Sequence, residues 1–397
     1  MRTILRVLVI LLLTGLIIFV AFFAGFGLNY FQIRTQPTRS DIPKTFPLFW
    51  EAWGKIQGEF YGDVPDRQTL TRGAIRGMLQ GLNDPHTIYI EPEPARNEQT
   101  TLQGETGDVG LNLDIKGGVL TIVAPIPGSP ADKAGLRAGD IVIKIGEKDV
   151  AVQTTPQEAA ALLRGPIGTK VALQVRRIGE PKPMELELVR EKYALPTVEA
   201  KVLPNTTYGY IKITLETAET ANEFARALDT LKNQRITGIV LDLRNNPGGL
   251  FPDPVLDIAG QFLKNNDVVL YEKYRDGTEK EYKAGSRRGA VDLKVVVLVN
   301  NGTASAAEIL AGALKDHSRG VLIGEPTYGK GSVQSIRRLS DGAALHITTA
   351  TWLTPRKQQI EGAGLQPDIA VPLTNESIQK GIDPQLNRAI EYLNKGA

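Results

Sequence analysis

Cysteine is absent from all 397 residues, and histidine occurs three times, far apart, at His86, His317 and His346. The first absence excludes a thiol nucleophile, disulfide cross-links and cysteine-ligated zinc. The second argues against a histidine-rich metal centre, so neither a metal nor a cofactor is expected. No sign of charge dominates: 46 basic against 44 acidic residues leave a net charge of +2. That balance offers no electrostatic footprint for nucleic acid, and none is expected as a partner. The length suffices for two or three domains of about 100–200 residues each.

Long apolar runs are missing everywhere but at the start. VLVILLLTGLIIFVAFFAGFGL, residues 7–28, is 22 residues without a charge. About 20 apolar residues span a bilayer as a helix. A secretory h-region is shorter, and AFFAGFG is a poor match to a small-x-small cleavage site. An uncleaved transmembrane anchor is therefore expected over residues 1–30. Arg2 and Arg6 ahead of it direct the N-terminus to the cytoplasm and the body of the chain to the outside, although Arg34 beyond it weakens the bias. Residues 31–45, with Pro37 and Pro43, form a tether.

Four further regions follow. In 46–103, Phe49, Trp50, Trp53, Ile56 and Phe60, then Leu70, Ala74, Met78 and Leu82, recur at helical steps. This helical segment is too short for a core of its own. In 104–190 the runs VGLNLDI, VLTIVAPI, DIVIKIG, KVALQVRR and MELELVR read as short strands, with helical turns at SPADKAGL and TPQEAAALLR between them. In 191–375 strands and helices alternate on a larger scale, which predicts an α/β layered core. Residues 376–397 end in a short amphipathic helix.

The chemistry concentrates in the α/β region. In VVVLVNNGTASAAEILAGAL a buried strand runs through a turn into a helix that Ser305 opens. The amide of Ala306 is then left without a helical acceptor at the positive end of the helix dipole, which suits an oxyanion. NNPGG, residues 245–249, brings Gly248 and Gly249 as a second source of bare amides. On local grounds alone a helix cap is the simpler reading of Ser305. A nucleophilic serine needs a base. His317 lies twelve residues along the same helix, about 18 Å away at about 1.5 Å per residue, and is excluded. His346 sits in an alternating strand, where a packed histidine is the simpler reading. Lys330, between two glycines in GEPTYGKGSVQ, can project its amine, and desolvation lowers a lysine pKa; a solvated turn lysine is the local alternative. GEPTYGKG comes close to a phosphate-binding loop, but Gly331 replaces the hydroxyl residue and the following residues alternate like strands, which speaks against an NTPase.

Two resemblances resolve these alternatives. GSPADKAGLRAGDIVIKIGEKDV is similar to the PDZ signature. In PDZ domains a peptide adds as a strand to the sheet edge while loop amides hold its terminal carboxylate. The resemblance implies that Gly107, Val109, Gly110, Leu111, Asn112 and Leu113 bind the peptide. Arg164, at the end of the second helix of this domain, either complements the helix C-terminus or reaches toward the α/β core as a gate. LDLRNNPGG, NNGTASAAEILAGAL, GEPTYGKGSVQ and GLQPDIAV together resemble the C-terminal processing peptidases, and NDPHTIYI is similar to that family's DPxSxY-type segment. The resemblance implies a crotonase/ClpP-like α/β serine protease core with an inserted PDZ domain. It assigns Ser305 as nucleophile, Lys330 as base and Gln334 as the residue that orients the lysine amine, with Ala306 and Gly248 or Gly249 as oxyanion donors. The expected protein is thus a membrane-anchored endopeptidase outside the cytoplasm that takes proteins by their accessible C-termini. Its oligomeric state is open, a homodimer among the options.

Overall fold

The computed structural model describes residues 45–374 apart from 117, 127, 151–153, 155, 287 and 288, together with 377 and 381–395. The anchor expected at 1–30 and nearly all of the tether lie outside these residues. Among the described residues no helix is long and apolar enough to cross a membrane. The chain forms two compact units that divide between Ala74 and Ile75. In the first, the helix Phe46–Glu59 buries no side chain, and its aromatic residues stack on one another, with Phe49 and Trp50 ring centroids 5.2 Å apart.

The second unit is organised by a six-stranded sheet. Val198–Val202 pairs antiparallel with Tyr208–Ile213, and Gly238–Asp242, Lys294–Val299, Val321–Gly324 and Ile369–Ala370 follow in parallel. The runs GIVLD and KVVVLV are apolar almost throughout because both faces of the sheet are covered. Alternate residues point to opposite sides. Ile239, Leu241, Val295, Val297 and Val299 face a core shared with Phe224 of the helix Thr220–Asn233, Ile258 and Phe262 of Asp253–Phe262, and Leu310 and Leu314 of Ala306–Asp316. Val240, Val296, Leu298 and Ile323 face the other way, onto Ala389 and Leu393 of the helix Pro384–Lys395. A second sheet, wholly antiparallel, contains Ile88–Ile90, Ala344–Leu353, Val268–Tyr274 and Glu279–Lys283, with Ser332–Arg338 also paired to Ala344–Leu353. The loop holding Lys330 therefore runs into a strand, as its alternating sequence requires.

Between these elements the chain departs into a smaller domain and returns. Glu105–Asp108 on the way out pairs with Glu191–Ala194 on the way back. Inside this ribbon, Leu111–Lys116, Val119–Pro125, Ile141–Ile145, Lys170–Arg176 and Met184–Val189 form an antiparallel sheet. Its core holds Ile122, Ile145, Leu163, Leu173 and Val175. Ser129 caps the turn of helix Pro130–Lys133 by accepting from the Asp132 amide at 3.1 Å, with Pro130 at the first helical position.

Candidate active site

Loops that follow the carboxyl ends of the parallel strands converge, as they do at ligand sites of open α/β sheets. The loop after Gly238–Asp242 and the loop after Lys294–Val299 are bound to each other by complementary amides. The Asn245 amide donates to Asn300 Oδ1 and Asn300 Nδ2 donates to Asn245 Oδ1, both at 2.9 Å. Thr303 Oγ1 donates to the Leu243 carbonyl at 2.8 Å, and the Ala304 amide to the Asn246 carbonyl at 2.9 Å. Gly248 lies so close to the neighbouring loop that a Cβ there would come 2.8 Å from Ser305 Cβ, and its φ of +97° favours glycine besides.

Ser305 stands at φ 53°, ψ −118°, immediately before the helix Ala306–Asp316. An N-cap residue whose side chain bonds back to the helix is normally extended. A non-glycine residue at positive φ costs about 1–3 kcal/mol and persists only where its surroundings impose it. Here the imposing group is Glu308, which is completely buried. Its Oε2 accepts the amides of Ser305 and Lys330, each at 2.9 Å; its Oε1 accepts the Gly329 amide at 2.7 Å and the Thr327 hydroxyl. One carboxylate thus holds the serine turn against the lysine loop. Glu308 escaped the sequence reading; the S-x-x-E spacing from Ser305 was the available signal, since it places an acid where it can reach back to the first amide of a helix.

Lys330 is half-buried, and burial pulls its amine below the ordinary lysine range, opposed by the nearby carboxylates of Glu361, Glu98 and Glu308. The Lys330 carbonyl accepts from Trp352 Nε1 at 3.0 Å, which fixes the loop from behind. Ser305, Lys330, Gln334, Gly248 and Gly249 line one cavity of about 540 Å³, together with Glu98, His346, Leu215, Phe251 and Trp352. Among the described residues the Ala306 and Gly249 amides donate no hydrogen bond. The Gly248 amide donates to Asn246 Oδ1 at 2.9 Å, so of the two glycines expected as donors Gly249 is the one whose N–H is uncommitted. Gln334 Nε2 donates to Ser332 Oγ at 2.9 Å and to Thr348 Oγ1 at 3.2 Å. His346 is more than a packed strand residue: it lines this cavity, 3.0 Å from Glu98 Oε2. His317 caps the C-terminal end of the serine helix and bonds the Val268 carbonyl at 2.8 Å.

Behind the glycine loop lies a second buried carboxyl. Glu216 pairs through its backbone with both sides of Gly249: its amide donates to the Gly248 carbonyl at 3.0 Å, and its carbonyl accepts the Leu250 amide at 2.7 Å. Its side-chain Oε1 accepts Asn246 Nδ2 at 2.8 Å, and Oε2 is buried with no partner among the described residues. Burial pushes this carboxyl up to about 7, against the opposing Asn246 hydrogen bond.

In the smaller domain, Leu111–Lys116, which carries Leu111, Asn112 and Leu113, is an edge strand of its sheet with the helix Pro156–Leu163 beside it. The loop before it differs from expectation. Gly107 exchanges both backbone hydrogen bonds with Gly165 at 3.0 Å, so its amide is not open to a ligand. The Val109 and Gly110 amides are taken by Asp108 Oδ1 at 2.6 and 3.1 Å. Arg164 Nε lies 3.4 Å from Asp108 Oδ2. Arg164 also borders a second cavity with Thr100 and Thr101 of the helix Pro92–Leu102, and Thr101 borders the Ser305 cavity as well.

Three family descriptions match this chain. Peptidase family S41 matches residues 207–371, the PDZ domain residues 121–177, and the activating protease CtpB N-terminal domain residues 31–94. A carboxyl-terminal-processing protease of Synechocystis is 41% identical over 334 residues, covering 82% of this chain and 77% of that protein. The carboxy-terminal processing protease CtpA of Bacillus subtilis is 36% identical over 342 residues, covering 86% of this chain and 72% of its own. Among solved structures, an S41 protease from Bacteroides fragilis superimposes with a TM-score of 0.52 at 16% identity, covering 87% of this chain and 97% of that one, a likeness of fold.

Proposed function

Because the chain belongs to the S41 peptidases as a PDZ-containing carboxy-terminal processing serine protease, we propose that Ser305 and Lys330 are its catalytic dyad, with Gln334 in support. The observation that carries this reading is the meeting of a serine held at positive φ and a lysine depressed by burial in one cavity. Neutral Lys330 takes the Ser305 proton as Oγ attacks the scissile carbonyl, and the developing oxyanion accepts from the Ala306 and Gly249 amides. The lysine returns the proton to the leaving amine, and water then hydrolyses the acyl-enzyme. We read the α/β core as crotonase/ClpP-like and the uncharged run 7–28 as a single-pass anchor that keeps the protease outside the cytoplasm. The PDZ groove recruits substrates by their C-termini. Arg164 links that groove to the cleft, a role supported by its contact with Asp108 and by the two cavities that share Thr101.

The test is kcat/KM for hydrolysis of an unfolded protein against pH, for the wild type, Ser305→Ala and Lys330→Ala. Both variants should lose turnover with the fold retained, and the wild-type profile should rise toward alkaline pH as the lysine deprotonates. If Lys330→Ala stays active and the rising limb disappears in His346→Ala instead, histidine is the base and the dyad is wrong.

A further inference from the structure

The peptide groove ends at the turn Asp108-Val109-Gly110, where the amides that would greet a substrate's terminal carboxylate lie. Asp108 already engages two of them with one carboxylate oxygen, Val109 N–H at 2.6 Å and Gly110 N–H at 3.1 Å. Its second oxygen faces Arg164 at 3.4 Å. Arg190 binds the Leu163 carbonyl at 2.7 Å and the Leu162 carbonyl at 3.3 Å, which holds a second guanidinium at the same helix end. The frame is rigid, because a Cβ on Gly107 would come 2.3 Å from the Gly165 carbonyl oxygen and Gly107 and Gly165 exchange two hydrogen bonds. Two amides and an arginine are what a terminal carboxylate needs, and all three are spent on an internal one.

We propose that Asp108 is a resident carboxylate in the PDZ terminus pocket, which a substrate's own terminal carboxylate must displace. Two like charges do not share one pair of amides. Recruitment therefore exchanges one carboxylate for another: the incoming terminus takes over the Val109 and Gly110 amides and Arg164, and Asp108 swings out to solvent. Asp108 thereby sets the threshold for recruitment, weakening capture of every free C-terminus and leaving the selection among them to the side chains along Leu111–Lys116. The proposal rests on the reading of this domain as a C-terminus receptor, and the experiment separates the two.

The full chain carrying Ser305→Ala, so that nothing is cleaved, is titrated into a short fluorescent peptide ending in valine and into the same peptide with an amidated C-terminus; binding is read by anisotropy. Asp108→Ala should tighten binding of the free-carboxylate peptide by about tenfold and leave the amidated peptide unchanged. Asp108→Asn keeps an acceptor oxygen for the two amides and removes the charge, so it guards against a collapsed loop. It too should bind the free-carboxylate peptide more tightly than wild type. If wild type binds and both variants bind the free carboxylate no better, Asp108 only shapes the turn and the proposal is overturned. If neither the wild type nor either variant distinguishes carboxylate from amide, recognition of C-termini itself fails, and the proposal with it.

Discussion

On the lysine side of the cleft, Glu308 accepts from four donors, the amides of Ser305, Gly329 and Lys330 and the hydroxyl of Thr327. On the glycine side, Glu216 accepts from Asn246 alone and leaves Oε2 buried without a partner among the described residues. Both carboxyls are completely buried. The contrast shows that burial does not decide what a carboxyl does; the number of donors aimed at it does. Surrounded by N–H and O–H groups, Glu308 serves as the rivet between two chain segments 22 residues apart. With one donor, Glu216 is pushed toward its neutral form, and the glycine turn rests on its backbone more than on its charge.

Removing the rivet is the most damaging way to erase this contrast. Glu308→Gln places an amide NH₂ against backbone N–H donors and orphans at least one of them. Unfolding in urea should show a loss of about 3 kcal/mol or more. Because the Ser305 turn and the Lys330 loop are then no longer held together, kcat should fall about 100-fold even where the protein is fully folded. A variant as stable and as active as wild type would mean that the four hydrogen bonds contribute nothing the loops cannot supply themselves.

The same substitution on the other wall should have the opposite sign. The folded-state pKa of Glu216, about 7, lies above its ordinary 4.5, so the folded protein holds a proton that the unfolded chain releases between these values. Wild-type stability should therefore decline as pH rises from about 4.5 and level off above about 7. Glu216→Gln keeps the acceptor for Asn246 and cannot ionise, so it should abolish that decline and be more stable than wild type at pH 8 by up to about 3 kcal/mol. Thermal melts of both proteins across that range give the comparison. Parallel curves would show that Glu216 is not buried as a neutral acid.

The smallest effect is expected at Gln334, whose amide is already shared between Ser332 and Thr348. On the proposed reading Gln334 gives the lysine one neutral hydrogen bond, the loss of which costs about 1 kcal/mol, so Gln334→Ala should reduce kcat by no more than about tenfold, with KM unchanged. A loss as large as that of Lys330→Ala would promote Gln334 from support to an essential group.

How much of this was readable beforehand differs residue by residue. Ser305 and Lys330 could be singled out because each sits in a short stretch whose chemistry is local: a strand, a turn rich in small residues, then a helix or strand of the right period. The layered α/β core was legible for the same reason, since GIVLD and KVVVLV are apolar runs that alternate with helical stretches. Glu216, in LETAETANEF, is one of three acids in ten residues and looks solvated like the rest. Asp108 looks like a polar residue in a glycine turn. Nothing near Glu216 in sequence announces Asn246 as its partner, and nothing near Asp108 announces Arg164.

The succession of strands and helices and the exclusion of thiol chemistry were settled by the amino-acid sequence itself, because propensity, hydrophobic period and residue chemistry act over a few neighbours, while Ser305 and Lys330 became the candidate nucleophile and base only through the joint resemblance of their motifs. Tertiary structure alone decided that Asn246 bonds Glu216, that His346 faces Glu98 across the cleft, that Glu308 is solvated by two loops, and that Arg164 meets Asp108. Each of these depends on which donor finds which acceptor, and a buried donor takes whichever acceptor the fold brings within about 3 Å. That choice is made in space, between segments whose separation along the chain carries no information about it.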